Sequence, residues 1–422
     1  MSDTAWREAL LQRIGAAIES LAEAYPRGYL LLAAGLALAG YGWLLLFPWL
    51  VLAGVSGGYE ALTDQSAIVW SHLLVWSAVA AGAALVTWRI ARLRPALPPG
   101  IVLDRNKTPA LFDLVRELYR HYRRPWIDRL IITGAFELEL VKTPCCGLPL
   151  WSVNTLAIGL PLMQSLSPVQ FRCLLARRMG QFSKRHNTLG NWLYQLRRIW
   201  PQYAITSGCA GHGYQPVGLF FSVFAPLYSW VSLPAARLDE LAADSYAMEV
   251  CSDEEVLDAI TTETVCRLYL EEKYWPVYER LSATTREAMP KPHTGMVSVL
   301  RAGLQGDRSQ PWLMKSMDQE PRLDETLPSL AQRMDNIGHL RTHMGEIAAS
   351  SAAMACLGTA VEELDKALGS ASPHRPAQES NSRPFRFQPP PFMSSLSRRL
   401  RRRDTPQDTA VVGNHSQVTS PQ

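Results

Sequence analysis

A chain of 422 residues, 47% hydrophobic and 19% charged, could hold two or three average domains, but much of its apolar content lies in two runs near the N-terminus. One soluble domain of ordinary size remains, and a net charge of +4 is too small to name a partner, although about the last fifty residues are basic. The seven cysteines form an odd set with no C-x-x-C spacing, which speaks against a disulfide framework and for a reduced compartment.

In SDTAWREALLQRIGAAIESLAEAY, Trp6, Leu10, Ile14, Ile18 and Leu21 share one helical stripe, so residues 1–28 read as an amphipathic helix. It either packs on the folded domain or lies on a membrane surface. Charged residues fill the first 27 positions, and no signal peptide is legible. Residues 29–55 carry no charge and 67–88 only His72; each exceeds the roughly 20 residues needed to cross a hydrocarbon core, giving a two-helix transmembrane hairpin over 29–92. Arg7, Arg13 and Arg27 precede the pair, Arg89, Arg92 and Arg94 follow it, and the connection SGGYEALTDQS has neither lysine nor arginine. The positive-inside rule then expects a multi-pass protein of the plasma (inner) membrane with both termini cytoplasmic.

From Pro98 to residue 370 the pattern is that of a soluble domain. FDLVRELYRHYR (112–123) has a helical period, RLIITGAFELELV (129–141) is β-rich, and TPCCGLPLWSVNTLAIGLPLMQSL (143–166) reads as a strand or hairpin ending in a turn. The next helix opens with Ser167 as N-cap and Pro168 at its first position. Residues 217–233 form an apolar run broken by Pro226, more typical of a buried or re-entrant helix than of a third crossing. Beyond Arg237 the chain is helical and charged. Residues 371–422 turn to Pro, Ser, Arg and Gln and are expected to be disordered.

The helix after Ser167 carries LLARRMGQFSKRHN. Metal ligands at positions i and i+4 of a helix face the same way, which is why H-E-x-x-H can hold zinc and present its glutamate to the bound water. Arg177, Arg178, Met179, Gly180 and Gln181 occupy such positions with the wrong chemistry. Arg177 keeps its proton and has no lone pair to donate, Arg178 is no general base, and Gln181 offers only a weak amide oxygen. Elsewhere, His339 and His343 in GHLRTH have i, i+4 spacing that would suit zinc or copper, though such pairs more often sit on exposed helix surfaces. His186 and His212 are poorly placed to rebuild a site, and the adjacent Cys145 and Cys146 read as small buried residues.

With its neighbours, this helix resembles that of the HtpX-type membrane metallopeptidases, relatives of the prenyl-protein endopeptidases. NTLAIGLPLMQSLSPVQFRCLLA (154–176) is similar to the segment leading into that family's H-E-x-G-H helix, whose glycine matches Gly180. RLDELAADSYAMEV (237–250) is similar to its E-x-x-A-D element, with Glu240 at the third zinc-ligand position and Asp244 at the supporting aspartate. LPSLAQRMDNIGHL (327–340) resembles its C-terminal element, with Leu327 in place of a histidine and Arg333 kept. The resemblance covers residues 100–360 and rests on several weak motifs in the right order. It implies a membrane-anchored, mainly α fold with a small β-sheet: an N-terminal transmembrane hairpin plus a zincin-like metallopeptidase domain over 98–370.

It also implies an inactive homologue, because Arg177, Arg178 and Gln181 replace the metal-binding and water-activating residues and only Glu240 remains as a ligand. No cofactor is then expected. An unpaired Glu240 in the interior is costly, so Arg177 or Arg178 is expected to pair with it in place of the metal. The family binds peptides along an edge strand, so Leu156, Ala157, Ile158 and Gly159 are the expected peptide-binding residues. The resulting function is peptide or protein binding or regulation, with membrane-protein quality control as its setting. Two alternatives stay open: an active zinc endopeptidase with a non-standard metal site, and a membrane-tethered adaptor working through its tail. In that tail Arg398, Arg399, Arg401, Arg402 and Arg403 would meet anionic lipid, at ~1 kcal/mol per basic residue, with nucleic acid the less favoured partner and a merely solubilising tail as the plain reading.

Overall fold

The computed structural model describes residue 15 and residues 17–371, except 23, 64–68, 93–96, 124–125, 146–147, 184–187, 210–214, 285–291, 320–324, 342, 346 and 348–349. The arginine tail, Cys146, His186 and His212 thus lie outside the described residues, as do Trp6, Leu10 and Ile14 of the first amphipathic stripe. Its described end, residues 17–22, is helical; Ile18 and Ala22 pack against a buried apolar cluster, and Glu19 pairs with Arg237.

The protein is mainly helical with one small sheet. Helices α1 (Pro26–Thr63) and α2 (Val69–Arg92) are both long and apolar enough to cross a membrane. At ~1.5 Å per residue the 38 residues of α1 run well beyond the ~30 Å of a hydrocarbon core. Small residues let the two helices approach: a Cβ on Gly54 would sit 2.8 Å from the Ala80 Cβ, and one on Gly57 2.5 Å from the Trp76 ring.

Helix α3 (Pro109–Tyr122) follows β1 (Gly100–Val102) and precedes β2 (Arg129–Thr133), β3 (Leu138–Cys145) and β4 (Leu148–Gly159). The strands lie in the order β1-β2-β4-β3, with β2 parallel to β4 and the other pairs antiparallel. The stretch read as one β-rich run over 129–141 is therefore split between two strands that do not pair. Leu156 pairs with Leu130 on one side and Leu140 on the other, and Gly159 with Thr133 on one side, so β4 is central. This corrects the expectation of an edge at Leu156, Ala157, Ile158 and Gly159: the main-chain groups that a peptide would need are taken by β2 and β3. Gly159 is boxed in further, since a Cβ there would lie 1.9 Å from the Ala135 carbonyl oxygen. The outer strands are β1 and β3.

After the short α4 (Leu160–Ser165) comes α5 (Pro168–Gln181), whose start has the expected cap: Ser167 Oγ accepts from Gln170 N–H at 3.1 Å and Ser167 N–H donates to Gln170 Oε1 at 2.8 Å. Helices α6 (Thr188–Cys209) and α7 (Gln215–Val231) form a hairpin against α1, and their aromatic side chains make a second core with it. Gly40 belongs to that contact, because a Cβ there would meet Trp200 and Phe224 at 3.0 Å. Residues 217–233 are thus mostly a helix packed on α1, bent by 56° into α8 (Leu233–Ala247). Tyr29 of α1 fastens this bend: its hydroxyl donates to Val231 C=O at 2.7 Å and accepts from Ala235 N–H at 3.1 Å.

The remaining helices are α9 (Asp253–Tyr269), α10 (Trp275–Thr284), α11 (Pro292–Leu304), α12 (Gln310–Asp318), α13 (Leu330–Ile337), α14 (Ala352–Leu357) and α15 (Ala360–Ala371). They complete the main core around α5, the sheet and α9. Helix α13 stops at Gly338, held at φ +83° as a left-handed cap. That stop corrects the His339 and His343 reading, since neither lies on a helix and the i, i+4 geometry does not exist. Both are exposed, and His339 faces Asp253 at 3.9 Å.

Candidate functional site

Helices α5 and α8 pack side by side and run in opposite directions: Arg177 meets Asp244 and Glu240, and Gln181 meets Asp239. Close approach comes from Gly180, where a Cβ would fall 2.5 Å from the Tyr246 Cβ. The seam is buried, with Arg177 2%, Glu240 1% and Asp244 0% exposed.

Glu240 is the centre of the site. Its carboxylate accepts from Arg177 Nη2 at 2.5 Å, from Arg178 Nη1 at 3.1 and 3.4 Å, and from Tyr194 Oη at 2.7 Å. A carboxylate offers about four lone-pair directions, so these contacts leave none free for a metal ion. Burial opposes ionisation of Glu240, but Arg178 and Arg177, helped by hydrogen bonds from Tyr194 and Gln181, outweigh it and hold the carboxyl well below the usual range. The same Glu240 charge, after burial, pushes the Tyr194 phenol up to about 12.

Asp244 is the second anchor. Arg333 of α13 grips it in a fork, Nε to Oδ2 at 2.9 Å and Nη2 to Oδ1 at 2.8 Å, and Arg177 Nε donates to Oδ1 at 2.6 Å. Burial disfavours its charge, yet Arg333 and Arg177 keep it ionised, below its ordinary range. Arg177 thus bridges both carboxylates. Arg178 bridges outward instead: Nε donates to the Leu138 carbonyl of β3 at 3.1 Å and Nη1 to Gln181 Oε1 at 3.0 Å.

All the charged residues singled out in the three sequence motifs, Arg177, Arg178, Glu240, Asp244 and Arg333, meet here, and Gln181 joins them. Leu156–Gly159 do not; they lie in the sheet interior. Tyr194 and Asp239 belong to the site without having been foreseen. Asp239 is 1% exposed, accepts from Gln181 Nε2 at 3.2 Å through Oδ2, and has no hydrogen-bond partner among the described residues at Oδ1. Burial first, then the neighbouring Glu240 charge, push it up to about 7. Its place beside Glu240 in R-L-D-E-L was the available signal. Tyr194 offered none.

On the outer side of β3, Arg198 pairs with Glu139, and a cavity of about 20 Å³ lies between Glu139–Lys142, Phe182 and the α6 residues Gln195, Arg198, Ile199 and Gln202. That is space for about one water, not a peptide cleft.

The donor set does not fit zinc in any simple way. Two guanidinium groups occupy the coordination side of Glu240, and neither guanidinium nor a carboxylate already saturated by donors is a ligand. What the arrangement can do is hold three helices, α5, α8 and α13, in fixed register through fully paired buried charges. No family model, curated protein or solved structure matches the chain.

Proposed function

We propose that the protein is a membrane-anchored, non-hydrolytic relative of the HtpX-type metallopeptidases that binds or regulates protein segments at the membrane instead of cutting them. The observation that carries this reading is the saturated Glu240 carboxylate: the residue that the resemblance makes the third zinc ligand is held by Arg177, Arg178 and Tyr194. Two positive guanidinium groups supply at that carboxylate the charge that a divalent metal supplies in the active relatives.

The membrane-crossing capacity of α1 and α2 supports the anchor, and the arginine distribution around them supports cytoplasmic termini at the inner membrane. Tyr29 links α1 to the bend at the head of α8, so the anchor and the helix bearing Glu240 are mechanically one piece. For an extended partner the strand to test is β3, one of the two outer strands; Arg178 and Arg198 already reach it, and both must swing aside to admit a peptide backbone.

Purified full-length protein in detergent, incubated with an unfolded protein substrate and added Zn²⁺, tests the reading. No cleavage beyond that by Glu240→Ala protein is expected. Chelator-sensitive cleavage that Glu240→Ala abolishes would overturn it.

A further inference from the structure

The seam between α5 and α8 does not end at the arginines. One turn before Arg177, Cys173 on α5 meets Cys251, in the turn that joins α8 to α9, close enough for their thiols to hydrogen-bond. Glu255, in the first turn of α9, completes a triangle: the two sulfur atoms and a Glu255 carboxylate oxygen all lie within 4.8 Å of one another. Cys173 and Cys251 are buried and Glu255 is exposed, so the triangle opens to solvent on one side only.

We propose that Cys173, Cys251 and Glu255 form a zinc site, separate from the arginine-filled one. Ligand bonds of ~2.3 Å to sulfur and ~2.0–2.2 Å to oxygen around a tetrahedral ion place donor atoms some 3.5–3.8 Å apart, within the observed spread. The donor set selects the metal. Two thiolates call for a soft or borderline ion, and the carboxylate oxygen favours Zn²⁺ over Cu⁺. Three protein ligands leave the fourth tetrahedral position for water on the open side. Binding displaces both thiol protons to solvent, giving two thiolates, one carboxylate and one Zn²⁺ with a residual charge of −1. Arg172 stands near both sulfur atoms and favours their thiolates, against the Glu255 charge at both and, at Cys251, against that of Glu117, with which Arg172 pairs at 2.6 Å.

The backbone supports the ligands before any ion arrives. Cys251 N–H donates to Ala247 C=O at 3.0 Å, and Glu255 is fixed by the α9 capping box, in which Ser252 N–H donates to Glu255 Oε2 at 3.0 Å. A carboxylate has lone pairs beyond the one that accepts from Ser252, so the cap and a metal ion can share Glu255. Zinc here would clamp the first half of α5 to the α8–α9 turn, one turn from Arg177, and so hold the arginine seam in register.

The test uses full-length protein in detergent, reduced, stripped with a chelator and titrated with Zn²⁺ and separately with Co²⁺. One tightly held Zn²⁺ per chain is expected, and a Co²⁺ complex with intense thiolate-to-cobalt charge-transfer absorption and tetrahedral d–d bands. Cys251→Ser should abolish the charge-transfer band, and Glu255→Gln should weaken Zn²⁺ binding by at least ~10-fold. Glutamine keeps the capping hydrogen bond and sits on the surface, so Glu255→Gln decides the case even where a cysteine variant fails to fold. Absence of stoichiometric Zn²⁺, binding indifferent to Glu255→Gln and Cys251→Ser, or a Cys173–Cys251 disulfide in freshly isolated, thiol-blocked protein with no metal on reduction would each overturn the proposal. The inference is independent of the arginine site: zinc lost with Cys251→Ser and retained in Glu240→Ala supports it, whereas zinc lost only in Glu240→Ala sinks it together with the non-hydrolytic reading.

Discussion

Arg177 Nη2 lies 2.5 Å from Glu240 Oε2, with both side chains all but removed from solvent. Two charges taken out of water gain little over an apolar pair of the same shape, but removing one of them strands the other. Glu240→Ala leaves Arg177 short of one of its two carboxylates and removes the carboxylate that Arg178 pairs with. It should therefore cost ~3–5 kcal/mol in unfolding free energy. A double-mutant cycle of Arg177→Ala and Glu240→Ala, read by tryptophan fluorescence on thermal unfolding in detergent, should return a coupling above ~1 kcal/mol. Additive losses would mean that the pair does not act as a unit.

Asp239 gives the site a pH dependence of its own. Its folded-state pKa is pushed up from 3.8 to about 7, so the native chain holds this proton more tightly than the unfolded one. Between these two values the native state binds more protons, and the contribution of Asp239 to stability falls as pH rises through that window. Glu240 and Asp244 have depressed values and act in the opposite sense, at lower pH, losing their contribution as pH falls. Asp239→Asn isolates the first effect. The variant should be more stable than wild type at pH 8, by roughly 4 kcal/mol, and the difference should close as pH approaches 4. An Asn variant no more stable at pH 8 than wild type would show that the carboxyl ionises without penalty.

Gly180 looked like a family signature in the sequence; in the fold it has a mechanical reason. Its missing Cβ is the space in which Tyr246 packs, at 2.5 Å. Gly180→Ala forces α5 and α8 apart over the stretch where Arg177 spans two carboxylates. A loss of ~1–3 kcal/mol is expected. Substituting Gly42, with nothing within 4 Å of its Cβ position, should leave stability nearly unchanged and serves as the control.

Local rules revealed the elements of this fold and missed its long-range pairings. The uncharged runs behind α1 and α2 and the Ser167–Pro168 helix start are statements about neighbouring residues, and they hold in the structure. The Arg177–Glu240 contact was reachable because a buried carboxylate must find a cation and the helix with the odd motif carried two. Strand order was not reachable. Whether Leu156–Gly159 lie at an edge depends on Arg129–Thr133 pairing with β4 across an intervening strand, which no periodicity encodes. The same holds for Cys173 and Cys251, brought together only by the antiparallel run of α5 against α8. The end of α13 was legible in principle, since glycine after the last helical turn is a common stop, and Gly338 ends the helix before His339 and His343, which are exposed as such residues commonly are.

The resemblance to zinc peptidases makes one further prediction that substitution can test directly. Positions 177 and 181 lie one turn apart on α5, and Arg177 contacts Glu240 while Gln181 contributes a hydrogen bond to it. If guanidinium groups stand where a metal once stood, Arg177→His with Arg178→Glu and Gln181→His should free the Glu240 carboxylate and provide two imidazoles on its side of the helix. The triple variant should then hold one Zn²⁺ more than the parent chain, and that increment should vanish when Glu240→Ala is added. Counting the increment, not the total, keeps any ion at Cys173 and Cys251 out of the comparison. Asp244 and Arg333 are left in place, because their paired fork still needs no partner beyond itself once Arg177 is gone. A folded triple variant with no additional zinc would show that the seam, whatever its origin, lacks the geometry of a metal site.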